Sequence, residues 1–358
     1  MLNIAPKISR LVLAAAFAAV AVLTAASAQA QAAKTTFSVC WSIYVGWMPW
    51  GYMADTGIIK KWADKYGITI NVTQINDYVE SINQYTAGQF DGCTMTNMDA
   101  LTIPAAGGVD STALIVGDFS NGNDGIVLKG ATTLAAIKGR SVNLVELSVS
   151  HYLLARALNS VGLSERDIKV VNTSDADIVA AFKGASVNAV VTWNPLLSEV
   201  RTQPAASQVF DSSKIPGEII DLMVVNSATL AANPKLGQAL TGAWYEMMTL
   251  MQGPGAPAVA ARTKMGTASG TNLAGFDSQL ATTKMFYTPA EAVTFTKSPD
   301  LVKTMDYVRK FSFEHDLLGT ALDSVGIAFP GGTTLGDAKN VKLRFDPALM
   351  DMAAQGKL

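Results

Sequence analysis

Histidine, cysteine and excess positive charge are all scarce in this sequence. Its 358 residues include two His and two Cys, and 27 Lys and Arg stand against 29 Asp and Glu. His151 and His315 lack the spacing of a zinc site, so we predict neither a metal nor a cofactor. Without a basic surface for phosphate backbones, nucleic acid is not expected as a partner. Because 49% of the residues are hydrophobic and only 16% are charged, the composition is typical of a folded protein.

One long hydrophobic run is present, and it lies near the N-terminus. Lys7 and Arg10 precede the apolar stretch 11–23, and Ala28-Gln29-Ala30 follows with the small residues of a secretory cleavage site. A permanent membrane anchor would need about 20 apolar residues, and this run is shorter. We therefore interpret residues 1–30 as a cleaved signal peptide and expect export across the inner membrane into the periplasm.

The two cysteines, Cys40 and Cys93, lie in predicted strands. An oxidising compartment would allow a disulfide between them. The alternative is that both are small buried hydrophobic residues. The sequence leaves both possibilities open, because it does not give the distance between the Cα atoms.

Strand-like and helix-like segments alternate after residue 30, which is typical of α/β proteins with largely parallel sheets. The predicted strands are 36–41, 68–75, 90–96, 112–116, 125–129, 141–144, 169–172 and 189–193, and the predicted helices are 51–66, 78–87, 151–161 and 176–183. Two crossings, 117–125 and 221–226, would form a hinge with a cleft between two lobes. We predict one lobe of residues 31–120 and 225–358, and a second lobe of residues 121–224.

Four short motifs occur in order along the chain. They are Gly46-Trp47-Met48-Pro49-Trp50 leading to Ala54 and Gly57, Ala87-Gly88-Gln89-Phe90-Asp91, residues 134–142 (LAAIKGRSV), and Ala180 with Gly184 leading to residues 188–195 (NAVVTWNP). Together, behind a signal peptide, they resemble the periplasmic solute-binding proteins of the nitrate, taurine and alkanesulfonate class of ABC importers (NitT/TauT, SsuA-like). The aromatic segment after the first strand is similar to the branch of this family associated with urea or guanidine uptake.

The resemblance implies a two-lobe periplasmic-binding-protein fold of type II that closes on a small solute. It also implies a monomer that delivers the solute to the permease and ATPase subunits of an ABC importer at the inner membrane. A ligand that contacts both lobes stabilises the closed form, and the permease can then recognise that form.

The start of the helix predicted at 151–161 is a candidate anion site. The family's usual anion pocket would use backbone amides at a helix N-terminus, and Ser148, Ser150 and His151 lie at such a position. The alternative is a capped helix with Ser150 as the N-cap. Glu146 precedes this loop, and its carboxylate would repel an anion.

The first lobe lacks cations over a long stretch. Between Lys65 and Lys129 there is no Lys or Arg. The acids in this stretch are Asp77, Glu80, Asp91, Asp99, Asp110, Asp118 and Asp124. We interpret most of them as solvated surface charges or turn formers. Such a lobe suits a cation or a neutral hydrogen-bond donor better than a free anion.

Aromatic residues crowd the loop after the first strand, at the sheet edge where ligands usually bind. They are Trp41, Tyr44, Trp47, Trp50 and Tyr52. Aromatic faces attract cations and stack on planar guanidinium groups. The alternative for Trp41 and Trp50 is that they are buried core residues without a role in binding. Trp193 and Asn194 could close the other side of the cleft, or form a turn fixed by Pro195.

Asn97 and Asp99 follow the strand that ends at Thr96, so we expect them to face the cleft. A carboxylate there could accept two parallel N–H bonds from an amidine-like ligand. These residues favour a small planar nitrogen compound as the ligand, guanidinium first and urea second.

Two other functions fit parts of the sequence. The first keeps the binding role but has taurine, another alkanesulfonate or nitrate as the ligand, held by Ser148 and Ser150 with help from Arg140 or Arg156. A Glu146 side chain that points into the cleft would exclude it. The second is an enzyme, because pyrimidine-synthesising relatives of thiamine biosynthesis share the fold. Their cysteine-rich motif is absent and no spacing indicates a catalytic triad, so we predict that the protein is not an enzyme.

Overall fold

The structure is a computed structural model that describes residues 34–318 and 321–358. The predicted signal peptide lies outside these residues. In the part of the chain that is described, no helix is both long enough and apolar enough to cross a bilayer. The elements below all belong to one unit, Thr36–Leu358.

Two mixed β-sheets organise the chain. The strands are β1 (Thr36–Trp41), β2 (Thr69–Gln74), β3 (Gly92–Thr96), β4 (Ser111–Ser120), β5 (Asp124–Lys129), β6 (Ser141–Leu144), β7 (Lys169–Asn172), β8 (Ala189–Trp193), β9 (Ala206–Asp211), β10 (Ile220–Asn226), β11 (Thr283–Met285), β12 (Gly326–Ala328), β13 (Thr334–Leu335) and β14 (Val341–Phe345). One sheet has the order β13-β12-β14-β4-β10-β3-β1-β2, with β11 paired to β4, and the other has the order β7-β6-β8-β5-β9. We call these sheets, with their helices, the larger lobe and the smaller lobe.

The helices cover both lobes. They are α1 (Met48–Thr56), α2 (Ile58–Tyr66), α3 (Tyr78–Thr86), α4 (Asn97–Ala100), α5 (Val149–Ser160), α6 (Asp175–Lys183), α7 (Leu196–Arg201), α8 (Ser227–Ala232), α9 (Pro234–Gln252), α10 (Ala256–Ala268), α11 (Leu273–Leu280), α12 (Pro289–Thr296), α13 (Pro299–Glu314) and α14 (Ala348–Ala354). Helices α5, α6 and α7 pack on the smaller sheet, and the others belong to the larger lobe.

Local sequence signals explain where several helices begin and end. The helix predicted over 51–66 is divided into α1 and α2, because Gly57 adopts a left-handed conformation (φ 81°) that ends the first of them. Asp77 caps α3 by accepting a hydrogen bond from the N–H of Glu80. Thr288 and Glu291 form a capping box at the start of α12.

The sheets are mixed, and the expectation of largely parallel sheets is wrong. Strand β10 is antiparallel to both β3 and β4, and β5 is antiparallel to both β8 and β9. The chain path explains this. Strand β4 leads out of the larger sheet towards the smaller lobe and β10 leads back, so the two strands run in opposite directions side by side.

The chain passes between the sheets at residues 121–123 and 212–219. The first passage lies inside the predicted crossing 117–125. The second predicted crossing, 221–226, is wrong, because these residues form most of β10. They are largely apolar and buried, as expected of a strand in the middle of a sheet. The lobe boundaries given above stay a prediction.

Cys40 and Cys93 form a disulfide. Both are fully buried and lie opposite each other in the register of the parallel strands β1 and β3, with 4.5 Å between their Cα atoms. Of the two possibilities left open by the sequence, the structure therefore has the bridged one. It joins two strands whose carboxyl ends lead into the site described next.

Candidate ligand-binding site

A small cavity lies between the two lobes. Its lining residues are Tyr44, Trp47, Tyr78, Thr96, Asp124, Val149, Trp193, Ile219 and Asp221. The cavity volume is about 20 Å³, far below the roughly 300–1,000 Å³ of pockets for drug-sized ligands. The cavity therefore suits a solute of few heavy atoms.

Four aromatic side chains form a continuous wall of the cavity. The ring centroids are 5.0 Å apart between Tyr44 and Trp47, 5.7 Å between Trp47 and Tyr78, and 5.6 Å between Tyr78 and Trp193. All four rings are buried. Trp193 also bridges the lobes, because its indole N–H donates to the carbonyl of Ile43 at 3.3 Å. Both lobes thus contribute to the wall.

Three aspartates are buried in and beside the cavity. Asp118 on β4 lies opposite Asp221 on β10, and Asp124 is the first residue of β5. The hydroxyl of Tyr44 donates to Oδ1 of Asp118 at 2.9 Å, and the hydroxyl of Ser120 donates to Oδ2 of Asp124 at 2.5 Å. The carboxyl groups of Asp118 and Asp221 share a side-chain hydrogen bond, which raises the pKa of Asp221 and lowers that of Asp118, so Asp221 is the protonated partner.

Burial gives all three carboxyl groups raised pKa values. It raises the pKa of Asp118 to about 7 and that of Asp124 to about 6. Burial and then the charge of Asp118 raise the pKa of Asp221 well above its usual value. Among residues 34–318 and 321–358, no Lys, Arg or His forms an ion pair with any of the three. The site therefore concentrates acidic groups without a cation of its own.

Gly46 allows the loop before α1 to approach these acids closely. A Cβ atom at this position would lie 2.5 Å from the Tyr44 ring and 2.8 Å from Oδ2 of Asp118. Any larger residue would have to displace the tyrosine or the carboxylate. The glycine thus lets Tyr44 reach Asp118.

Asp99 lies behind the aromatic wall and contacts it through Tyr78. It accepts hydrogen bonds from the Tyr78 hydroxyl at 2.6 Å and from the Thr96 hydroxyl at 2.8 Å. Burial raises the pKa of Asp99 to about 6, although these two bonds and the backbone N–H of Val149 lower it. Val149 is the first residue of α5. The N-terminus of that helix therefore already faces a carboxylate of the protein itself.

A known protein family matches most of this chain. The model of the NMT1-like family matches residues 41–265, which is more than half of the sequence. The chain belongs to the NMT1-like family.

Curated relatives of this NMT1-like chain include named binding proteins. A protein of Escherichia coli (strain K12), named for the binding of aliphatic sulfonates, is 35% identical over 102 residues, which is 28% of this chain and 30% of that protein. A binding protein of Brucella abortus (strain 2308) is 24% identical over 201 residues, which is 52% of this chain and 60% of that protein. The matches thus span less than two thirds of either relative.

A solved structure shows the fold of this NMT1-like chain. The alkanesulfonate-binding protein SsuA from Xanthomonas axonopodis pv. citri, bound to MOPS, superposes with a TM-score of 0.66 at 17% identity, over 81% of this chain and 96% of that one. The predicted fold class, a two-lobe α/β periplasmic-binding-protein fold, is confirmed.

Of the residues predicted from the sequence, Tyr44, Trp47 and Trp193 line the cavity. Trp41 is buried in the core and lines a separate surface pocket with Gly51.

Two of the polar residues predicted to bind the ligand form hydrogen bonds within the protein. Asn97 accepts from the N–H of Ile220 at 3.0 Å and donates to the carbonyl of Glu218 at 3.1 Å, so it connects β10 to α4. Asn194 accepts from the hydroxyl of Ser198 and donates to the hydroxyl of Thr282. Their polar groups are thus engaged outside the cavity lining.

Ser148, Ser150 and His151 of the predicted anion loop do not line the cavity either, although Val149 between them does. Ser148, and not Ser150, is the N-cap of α5 and accepts from the N–H of Ser150 at 3.2 Å. The Ser150 hydroxyl is buried without a partner among the described residues. His151 contacts Glu165. Glu146 is exposed and does not line the cavity. Its carboxylate therefore gives no reason to exclude an anionic ligand, contrary to the expectation from the sequence.

The two arginines named as anion partners are engaged elsewhere. Arg140 donates to the backbone carbonyls of Ala136 and Lys129. Arg156 forms a bidentate ion pair with Glu218 at 2.8 Å.

The sequence reasoning missed the acids at the cavity. Asp118 and Asp124 were counted as surface charges, and Asp221 was assigned to a crossing. A signal was present, because Asp118 and Asp221 each interrupt an apolar run of strand residues. A charged residue inside such a run is buried unless the strand ends there, and buried carboxylates usually serve a partner.

Proposed function

We propose that this chain is the extracytoplasmic solute-binding component of an ABC import system. Its solute is a small planar nitrogen compound, guanidinium first and urea second. The family, the two-lobe fold and a cavity between the lobes support the binding role. In this proposal the exported monomer delivers its solute to the permease and ATPase subunits at the inner membrane.

The main support for this ligand is that acidic groups and aromatic rings line the same cavity. Asp124 and Asp221 line the cavity, and Asp118 lies directly beside Asp221. Buried carboxylates without a cation are costly, because each loses its hydration without gaining an opposite charge. The raised pKa values mean that bound protons offset part of this cost in the empty site, and a solute that brings positive charge can replace those protons.

Guanidinium matches both halves of the site. It is planar and presents N–H donors along its edges, which suits paired carboxylate oxygens. Its faces stack on aromatic rings such as those of Trp47 and Tyr78. Urea has the same plane and donor edges but no charge, so it would leave the carboxylates uncompensated. We therefore rank it second.

The anion alternative has less support from the geometry. A sulfonate or nitrate in this cavity would lie beside Asp124 and Asp221. The N-terminus of α5 faces Asp99, and Arg140 and Arg156 already have partners. The names of the relatives point to sulfonates, so the anions belong in the experiment as competing outcomes.

Isothermal titration of the purified protein tests the proposal. The probes are guanidinium chloride, urea, taurine and sodium nitrate at matched ionic strength, with guanidinium in the low millimolar range, where it does not denature. We expect saturable binding of guanidinium, weaker binding of urea and none of the anions. Thermal denaturation is an independent check, because a ligand at 100 times its Kd adds about 2.7 kcal/mol of stability. Saturable binding of an anion alone would refute the ligand assignment.

A further inference from the structure

Three ionisable side chains meet at a second point between the lobes, and none of them lines the cavity. His151 on α5 and Glu165 belong to the smaller lobe, and His315 directly follows α13 of the larger lobe. One carboxylate oxygen of Glu165 contacts Nε2 of His151, and the other lies 2.5 Å from Nε2 of His315. A carboxylate is thus held between two histidines across the cleft.

The hydrogen bonds of His151 define where its proton is. The backbone N–H of Leu147 donates to Nδ1 at 3.1 Å, so Nδ1 carries a lone pair. Nε2 faces the Glu165 carboxylate, which only accepts, so Nε2 must carry a proton. His151 satisfies both neighbours as a neutral ring.

His315 is surrounded differently, because both of its ring nitrogens face acceptors. Nδ1 lies 2.8 Å from the carbonyl oxygen of Phe311, and Nε2 faces Glu165. Neither a carbonyl nor an ionised carboxylate can donate. A ring that satisfies both must carry two protons and a positive charge.

The same three side chains could also be read as a metal site, since their ligand atoms lie within 4.8 Å of one another. His151 argues against that use. A histidine that binds a metal through one nitrogen usually donates the N–H of the other nitrogen to an acceptor. Nδ1 of His151 instead accepts from Leu147. The hydrogen bonds fit shared protons better than a metal ion.

We propose that His315 is a proton-operated clasp that stabilises the closed arrangement of the lobes, a regulation that goes beyond the proposed solute role. When protonated, the ring binds Glu165 of the smaller lobe and the Phe311 carbonyl of the larger lobe at once. When it loses a proton, a lone pair faces one of these acceptors and the ring loses its positive charge, so at most a neutral hydrogen bond to Glu165 is left and the clasp is weakened. The device depends on lobe closure and not on the identity of the solute.

The surroundings of His315 give the direction of its pH dependence. The hydrogen bond to Glu165 raises its pKa against the effect of burial, and the Phe311 carbonyl and the charge of Glu314 act in the same direction as Glu165. The titratable groups that face the ring are thus Glu165 and His151 from the smaller lobe and Glu314 on its own helix. The clasp is strongest at low pH and weakens as the pH rises through this raised pKa.

Spin labels on the two lobes can measure closure directly. Lys183→Cys and Lys339→Cys place the labels at exposed positions of the smaller and larger lobe. The distance distribution gives the ratio of closed to open protein at about pH 5.5 and about pH 8.5. It is recorded without added solute and again with low-millimolar guanidinium chloride. The variants are His315→Gln, Glu165→Gln and, as the matched control, His151→Gln.

We expect the closed-to-open ratio at low pH to be about threefold higher in the unsubstituted protein than in His315→Gln, as for a partly exposed ion pair. The difference should be smaller at high pH. Glu165→Gln should behave like His315→Gln, and His151→Gln should keep the pH dependence. All variants have the same cavity acids. Any effect of protons binding to those acids is therefore equal in each protein and does not contribute to the differences between variants.

The opposite results would overturn the clasp. These are an equal pH dependence with and without His315, or a loss of pH dependence in His151→Gln alone. A rise in closure with ZnCl₂ that EDTA reverses would also overturn it, in favour of a metal site. If guanidinium closes none of the proteins, the proposed solute is wrong, whereas the clasp is still tested by the differences measured without solute.

Discussion

The cavity and the clasp are two clusters of ionisable groups on the same boundary between the lobes, and they are built in opposite ways. At the clasp, Glu165 receives N–H bonds from two histidines, so its charge is compensated within the protein. At the cavity, Asp118, Asp124 and Asp221 receive a few hydroxyl bonds and no cation from the described residues.

This difference distinguishes a structural cluster from one prepared for a solute. A buried carboxylate without an opposite charge lowers the stability of the fold. A cluster that compensates itself, as Glu165 does, needs no further partner. The cavity keeps a set of acids without an opposite charge beside an aromatic wall, and the proposed cationic solute would complete this arrangement.

The largest expected effect comes from removing one of the cavity acids. Asp221→Asn should weaken guanidinium binding by about 1.5–3 kcal/mol, because it removes a charged hydrogen bond. The empty protein should be about as stable as before, since the amide N–H of the substituted side chain can replace the Asp221 proton that is donated to Asp118. Titration calorimetry and thermal denaturation measure the two effects.

The matched control for this substitution is Asp316→Asn, at an exposed turn where the side chain has no hydrogen bond among the described residues. It should change neither quantity. An Asp221→Asn protein that binds guanidinium as tightly as the control would remove the carboxylate from the site.

The second effect is the pH dependence of binding. In the empty protein the pKa is about 7 for Asp118 and about 6 for Asp124, so the site holds protons that a cation must displace. Guanidinium affinity should therefore rise between about pH 5 and pH 7, by up to about tenfold per pH unit for each proton released. Calorimetry in two buffers of different ionisation enthalpy measures that release. Binding without proton release would contradict the proposal.

The stability of the empty protein should change in the opposite direction. Both pKa values lie above the usual value of 3.8, so the folded state binds more protons than the unfolded state in this range. The stabilisation is present at low pH and is lost as the pH rises from about 4 to about 7. Saturating guanidinium should reduce this loss, which thermal denaturation with and without the ligand can show.

A smaller effect is expected from the aromatic wall. Trp47→Leu should weaken guanidinium binding by about 1 kcal/mol through lost stacking. Trp50→Leu is the matched control, because Trp50 is equally buried but stacks on Trp244 and does not line the cavity. It should lower the melting temperature without changing the affinity. Equal losses of affinity in both variants would make Trp47 a packing residue.

The smallest effect on binding is expected for Tyr78→Phe, which keeps the ring in the wall and removes the hydroxyl that donates to Asp99. We expect an affinity within about threefold of the original and a stability loss of about 1 kcal/mol. Calorimetry and thermal denaturation separate these two quantities. A large loss of affinity would show that Asp99 acts on the solute through Tyr78.

Much of the fold could be predicted from the sequence because its signals are local. The strands at 36–41, 141–144, 169–172 and 189–193 have the predicted bounds. Each is a short segment with β-branched residues between turn or helix signals. The division of the helix at Gly57 was missed, because a glycine in a helical pattern reveals its left-handed conformation only in the folded backbone.

The acidic part of the candidate site could not be predicted in the same way. Asp118 and Asp221 are distant in sequence and meet only because β10 returns beside β4. That pairing depends on the chain leaving for the smaller lobe and coming back, which no local pattern encodes. The aromatic residues Tyr44, Trp47 and Trp193 were easier, because they directly follow or end predicted strands.

The antiparallel pair of β4 and β10 makes the smaller lobe an insertion into a hairpin, since the register that joins Phe119 to Ile220 continues to Asp118 and Asp221. These two acids therefore lie on the pair of strands from which the chain leaves for the smaller lobe and to which it returns. In the proposed function, a cation would meet Asp118 and Asp221 on the larger lobe, and Asp124, Val149 and Trp193 of the smaller lobe would complete the enclosure. In that proposal the acidic contacts are divided between the lobes, so the complete set would face the solute only where the two lobes meet.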